Sequence, residues 1–287
     1  MLSYAQNGED VLLSRVFQGP SGFYVDAGAC HPIIDSVTYA FYERGWRGIN
    51  IEPCETMFNR LKELRPRDIN LNLAISNTNT NATFYECPNH IPLSTMNPQV
   101  AGEITEAGGV IEERPMEVKT LSTVLQEHGV STIDFLKVDV EGHEKQVLQG
   151  NDWNRFCPRV VIVESTHPRT TRSEYQHWES ILLDADYTFA TFDGLNRFYV
   201  SPKDHALIPE LERPLSVFDR YVTHQHLAQV RFFRDSLQRS LSNNDERSTE
   251  HLLALLTHMI KQPMLCRESP PMLAQVLREI ETPGQAQ

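Results

Sequence analysis

Phe23-Tyr24-Val25-Asp26-Ala27-Gly28 is a short apolar run that ends in an acid and a glycine, and Arg47-Gly48-Ile49-Asn50-Ile51-Glu52 is a second run of the same kind. Each reads as a strand buried on both faces, which is the pattern of a parallel sheet. Between and after them, residues 36–44 and 56–64 read as helices, the second stopping before Pro66. Residues 69–75 form the third predicted strand and residues 82–86 a short fourth element. Residues 133–138 and 160–163 are apolar and β-branched, so they are predicted as further buried strands. Strands separated by helices imply βαβ units and a mostly parallel sheet.

Upstream, Asn7 is expected to cap a helix over Val11, Leu12, Val16 and Phe17, with Glu9 and Asp10 in its first turn. Downstream, residues 121–128 and 175–183 read as helices. Asp193-Gly194-Leu195-Asn196 sits between residues 187–192 and 197–200 as a hairpin signal, hence one antiparallel pair at the C-terminal end of the sheet. The stretch 87–114 carries Pro88, Pro92, Pro98, Gly102, Gly108 and Gly109, and is expected to be a long functional loop or lid.

The pattern changes after Ser201. Leu227, Val230, Phe233, Leu237 and Leu241 fall on one face of a helix predicted over residues 223–241. Residues 242–247 are polar, residues 251–260 and 272–280 are further helical runs, and the tail from Pro283 is expected to fray. The expected division is a domain over 1–220 and a helical extension over 221–287, the latter packing on its own subunit, forming a homo-oligomer or docking a partner such as a glycosyltransferase.

Composition limits the function. The chain has 287 residues, 40% hydrophobic and 22% charged, and a net charge of −12, which argues against a nucleic-acid surface. No apolar run approaches the ~18 residues of a membrane span. Residues 1–10 lack the basic start and apolar core of a secretory signal. Five cysteines without a C-x-x-C pair fit free thiols, and with them a cytoplasmic location.

In an open parallel sheet, ligands bind beyond the carboxyl ends of the strands. Those ends carry Asp26, Glu52, Asp139 and Glu164. One early glycine, Gly28, without G-x-G-x-x-G, disfavours a pyrophosphate cofactor such as NAD. Glu52 follows Asp26 by 26 positions, near the separation of an acid that accepts both hydroxyls of a ribose. The bland alternative is that both acids merely tie loops at the sheet edge.

Several blocks taken in order resemble the FkbM-type S-adenosylmethionine-dependent methyltransferases. They include Tyr4-Ala5-Gln6-Asn7-Gly8-Glu9-Asp10, then Phe23 to Ala29 with His31-Pro32, and Gly45-Trp46-Arg47-Gly48-Ile49-Asn50-Ile51-Glu52-Pro53. Most specific is Ile133-Asp134-Phe135-Leu136-Lys137-Val138-Asp139-Val140-Glu141-Gly142-His143-Glu144, and Asp193 to Val200 completes the series. The likeness covers roughly residues 3–220, and Cys30 stands where such sequences often carry asparagine.

This resemblance implies a Rossmann-like seven-stranded methyltransferase sheet, S-adenosylmethionine as donor, and an oxygen acceptor, in the closest patterns a sugar hydroxyl of a glycan or polysaccharide pathway. It places Asp26, Gly28 and Ala29 against the methionine part, Glu52 on the ribose, and Ala74 and Ser76 near the adenine. Gln6, Glu9 and Asp10 are expected to close over the cofactor's charged end, although Glu9 and Asp10 also suit a helix N-terminus.

A sugar hydroxyl needs a general base or a metal ion that lowers its pKa. Asp139, Glu141 and His143 lie at i, i+2 and i+4, on one side of an extended chain, and His143 is the natural base. Glu141 and Glu144 would otherwise serve the next helix, and His143 would be a surface histidine. Asp139, Glu164 and His167 have the ligand types a divalent cation accepts. His31, Asp35, Ser36, Thr95 and His167 are expected to face the acceptor, a small molecule or glycan, with residues 93–96 covering it. Trp46 and Trp153 are expected to pack. Two other readings remain: an NAD-dependent nucleotide-sugar dehydrogenase or epimerase, and a non-catalytic docking module.

Overall fold

The computed structural model describes residues 1–242 and 252–253. The helical runs expected over 251–260 and 272–280 and the tail from Pro283 lie outside the described residues, apart from those two positions. In chain order the elements begin β1 (Leu2–Ser3), α1 (Glu9–Val16), β2 (Phe23–Ala27), α2 (Tyr39–Glu43), β3 (Arg47–Ile51), α3 (Glu55–Leu64) and β4 (Ile69–Leu71). They continue with β5 (Ala74–Ser76), β6 (Thr80–Glu86), α4 (Pro98–Glu106), β7 (Glu112–Thr120), α5 (Leu121–Glu127), β8 (Phe135–Val138), α6 (Glu144–Gln149) and β9 (Val160–Glu164). Last come α7 (Glu179–Leu183), β10 (Thr188–Phe192), β11 (Asn196–Val200), α8 (Ile208–Glu212), β12 (Val222–Thr223) and α9 (His224–Ser242).

The fold is mixed α/β. Its large sheet has seven strands in the order β10-β11-β9-β8-β2-β3-β4. Strands β4, β3, β2, β8 and β9 run parallel, and β11 is antiparallel to both β9 and β10. Period-2 alternation splits each central strand between two apolar cores. Val25, Ile49, Leu136 and Val161 face one side, with Leu121 and Val147. Tyr24, Phe135, Val160 and Phe198 face the other, with Leu13, Phe41 and Trp46. Both faces are covered, which is why these strands read as continuous apolar runs.

The two tryptophans pack as expected. Trp46 lies edge-on to Phe41 at 4.9 Å and donates Nε1–H to the Gly19 carbonyl. Trp153 lies edge-on to Tyr187 and donates to the Leu148 carbonyl.

Several sequence expectations change. The single strand predicted over 69–75 is two: β4 closes the edge of the large sheet, and β5 joins a three-stranded sheet in the order β5-β7-β6. The stretch predicted as a loop contains a short 3-10 turn (Ile91–Leu93), helix α4 and the start of β7. Asn97 caps α4 through the Gln99 amide, and Pro98 occupies the first helical turn, where it needs no donor. Asn7 does not cap α1. Gly8 holds that place in left-handed backbone, and Asn7 Nδ2 donates instead to the Asp193 carbonyl. The helix predicted over 36–44 is shorter, beginning at Tyr39.

The chain returns past residue 220 to its own start. Strand β12 pairs in parallel with β1, and the His224 ring stacks on Tyr4. Leu227, Val230 and Leu237 on α9 are buried. No helix among the described residues is long and apolar enough to cross a membrane. Among them Cys30, Cys54, Cys87 and Cys157 are free thiols.

Candidate active site

The carboxyl ends of β2, β3, β8 and β9 open into a cavity of about 870 Å³. That is the size of a site for a nucleoside-sized ligand with a neighbour. Its floor is the turn after β2. Gly28 has φ +84°, and a Cβ there would lie 1.7 Å from the Asp139 carbonyl oxygen. Only glycine lets the ends of β2 and β8 approach this closely. Cys30 is also left-handed, with φ +49°. Asparagine tolerates that region better than most residues, cysteine included.

Glu52 fastens the floor to the next strand. Its Oε2 accepts the Cys30 amide at 2.7 Å and its Oε1 the Cys54 amide at 2.7 Å. Burial pushes its pKa up to about 7 against the pull of those two amides. The carboxyl reaches the cavity with its remaining lone pairs. Ala74, Leu73, Ile75, Met57 and Phe84 form an apolar wall beside it.

Across the floor stands Lys137, which the sequence reading had not singled out. Its Nζ is 3.2 Å from the Gly28 carbonyl, 3.2 Å from Asp139 and 3.6 Å from Asp26. Burial lowers its pKa, but the Asp139 and Asp26 carboxylates outweigh burial and hold it above the ordinary lysine value. Its signal was available: a lysine inside an apolar strand must point at a partner.

Asp26 lies beneath the cavity rather than on its wall. Its Oδ2 accepts Thr38 Oγ1 at 2.8 Å, and Thr38 in turn accepts from Arg65 Nη1 at 2.9 Å. Arg65 pairs with Asp68 at 2.9 Å, both fully buried, and bonds the Tyr24 hydroxyl. This network locks β2, β3 and the end of α3 together. Ser36 belongs to it, near Thr38, and not to the cavity.

Glu9 and Asp10 are likewise structural. Glu9 accepts Asn196 Nδ2 at 2.7 Å and the Asn7 amide; Asp10 accepts Ser3 Oγ and the Tyr4 amide. Neither lines the cavity, whereas Gln6, Ala29, His31 and Asp35 do. The hairpin turn of residues 193–196 therefore clamps α1 through Asn196.

The segment after β8 does not stay extended. Glu141 has φ +53° and Gly142 φ +88°, so the i, i+2, i+4 alignment fails. Asp139 and Glu141 face the cavity, but His143 turns away from it, its Nε2 2.9 Å from Ser76 Oγ. Burial holds the His143 pKa down near 4, leaving a neutral imidazole at neutral pH. Glu144 folds back to accept the Val140 and Gly142 amides, closing the loop at the start of α6. Ser76, bonded to His143, is off the cavity wall, although Ala74 is on it.

Asp139, Glu141 and Glu164 come together, each offering an oxygen within 4.8 Å of the others. Burial, then the neighbouring Asp139 carboxylate, raises the pKa of Glu141 and of Glu164 well above the ordinary value. His167 is not the third member of this group. Its Nε2 lies 2.6 Å from Glu103 on α4, so it joins the loop after β9 to the cover. The cover is anchored from below as well: Thr95 Oγ1 donates to the Glu141 carbonyl and Asn97 Nδ2 to that of Gly142. Thr95 and the segment 91–96 line the cavity, as do Arg169, Thr170 and Thr171.

Residues 26–189 match the methyltransferase FkbM domain. A 78-residue stretch is 38% identical to Methyltransferase sdnD of Sordaria araneosa, covering 24% of this chain and 30% of that protein. The match thus spans less than a third of that relative's length.

Proposed function

The chain belongs to the FkbM methyltransferase family, and from that premise we propose an S-adenosylmethionine-dependent O-methyltransferase that acts on a sugar hydroxyl, with the seven-stranded sheet as a Rossmann-like methyltransferase sheet. The single observation that carries the cofactor reading is Glu52. An acid at the end of β3 reaches into the cavity beside an apolar wall, held in place by two backbone amides. Those groups fit the ribose and adenine of the donor: Glu52 on the ribose hydroxyls, Leu73, Ala74, Ile75 and Phe84 around the base. Gly28 and Ala29 would lie under the methionine part, and Gln6 near its charged end. S-Adenosylmethionine, when bound, supplies a methyl group on a sulfonium with a neutral leaving group.

The protein's task is then to hold a hydroxyl in line with that methyl and to draw off its proton. Asp139 stands at the acceptor side, oriented by the Lys137 ammonium. His143 is a positioning residue in this scheme. It braces the Asp139–Glu144 loop against Ser76 and does not act as the base. His31, Asp35, Thr95 and the mouth residues Arg169 to Thr171 would contact a polar acceptor, and Leu93 to Met96 would cover it.

The test is release of S-adenosylhomocysteine in the presence of a panel of mono- and oligosaccharides. The expected result is turnover with at least one sugar, reduced at least about 100-fold in Asp139→Asn while that variant still binds S-adenosylhomocysteine. Turnover equal to wild type in that variant would remove Asp139 from the reaction.

A further inference from the structure

The group Asp139, Glu141 and Glu164 has a feature that methyl transfer alone does not explain. Three carboxylates are held together at one wall of the cavity from two strand ends and a tight turn. Like charges this close repel, and a fold retains them where something positive comes between. Lys137 is the ammonium in ion-pair contact with Asp139, and it is shared with Asp26. It pairs with only one of the three; Glu141 and Glu164 have no ion-pair partner among the described residues, and a divalent cation would balance both in their ionised form.

A second observation points the same way. Glu164 is 9% exposed, and its Oε2 has no hydrogen-bond partner among the described residues. A nine-tenths-buried carboxylate oxygen without a donor is costly unless a ligand satisfies it. Glu164 ends β9, a strand buried along its length, so this oxygen is not free to swing into solvent.

We propose that Asp139, Glu141 and Glu164 form a binding site for a hard divalent cation of the Mg²⁺, Mn²⁺ or Ca²⁺ class. Three oxygens within 4.8 Å of one another leave a point no farther than about 2.8 Å from all three, and side-chain shifts of about 0.2–0.8 Å bring that to the 2.0–2.6 Å of such ions. The donor set is all carboxylate, with no thiolate or imidazole, which favours these ions over zinc. His167, the ligand expected from sequence, is engaged by Glu103 instead. Three protein ligands leave positions open toward the cavity. On the methyltransferase reading, on which the ion's role rests, those positions take the acceptor's hydroxyl oxygen and acidify its proton.

The experiment is Mn²⁺ titration of the chelator-treated full chain, followed by the electron paramagnetic resonance signal of free Mn²⁺, with S-adenosylhomocysteine titrated separately by calorimetry. The expected result is uptake of one Mn²⁺ per chain, weakened at least about tenfold in Glu164→Gln and again in Glu141→Gln, with competition by Mg²⁺. Glu141 lies in the turn after β8 rather than in a strand, so its variant serves if the Glu164 substitution does not fold. Absence of uptake by the wild-type chain overturns the proposal and leaves the carboxylates to a cationic group of the acceptor. Unchanged uptake in both variants also overturns it, by placing Mn²⁺ elsewhere. Uptake lost in the variants, in a chain that binds no S-adenosylhomocysteine, would uphold this site while contradicting the methyltransferase reading.

Discussion

Gly28 sets the closest approach in the site, because the Asp139 carbonyl occupies the space a side chain would need. Gly28→Ala is expected to cost at least about 2 kcal/mol, from the clash together with the positive φ. Calorimetric unfolding measures it, and wild-type stability in that variant would contradict the packing described. Single residues show where sequence reading reached its limit. Glu52 was legible, since an acid at a strand end needs only the strand to be placed. Asp26 looked equivalent but faces Thr38 and the buried Arg65–Asp68 pair, partners that no local spacing announces. The place of His143 off the cavity was not legible, because two consecutive left-handed residues, Glu141 and Gly142, turn the chain before it. Glycine advertises such geometry; glutamate does not.

At the scale of elements, the five parallel strands and the hairpin were readable because each is apolar or bounded by turn residues. Strand β7 was not. Its first four residues are exposed, Pro115 stands among them, and it exists by pairing with β6 along seven registered residues. Likewise α4 has only Val100, Ala101 and Ile104 as buried residues, inside a stretch rich in proline and glycine. This cover is attached to the site through few contacts, chiefly Thr95 to Glu141, Asn97 to Gly142 and Glu103 to His167. Thr95→Val removes both a donor to Glu141 and the acceptor of the Asn97 amide. A loss of about 1–3 kcal/mol is expected, confined to the cover. Hydrogen exchange should quicken across residues 93–106 and stay unchanged in β2 and β8. Equal quickening in those strands would show that the cover is no separate unit.

For the whole molecule, the net charge of −12 understates how many acids are withdrawn from water. Burial raises Glu9 to a pKa of about 8, Glu52 to about 7 and Asp10 to about 6. Each folded carboxyl therefore keeps its proton at pH values where the unfolded chain has lost it. The stability these groups confer is full below their ordinary values and is lost as pH rises toward about 8. His143 acts in the opposite sense between pH 6.5 and about 4, but one imidazole is outweighed by three carboxyls. The melting temperature of the ligand-free chain should fall from pH 5.5 to pH 8.5, and a rise over that interval would contradict the burial of these acids.

The most direct test of the central claim is calorimetric titration of the full chain with S-adenosylhomocysteine, beside NAD, in wild type and in Glu52→Ala. The account expects saturable binding of S-adenosylhomocysteine alone, weakened at least about tenfold by loss of the Glu52 carboxylate. Binding of NAD and not of S-adenosylhomocysteine, or S-adenosylhomocysteine bound equally well without Glu52, would contradict it.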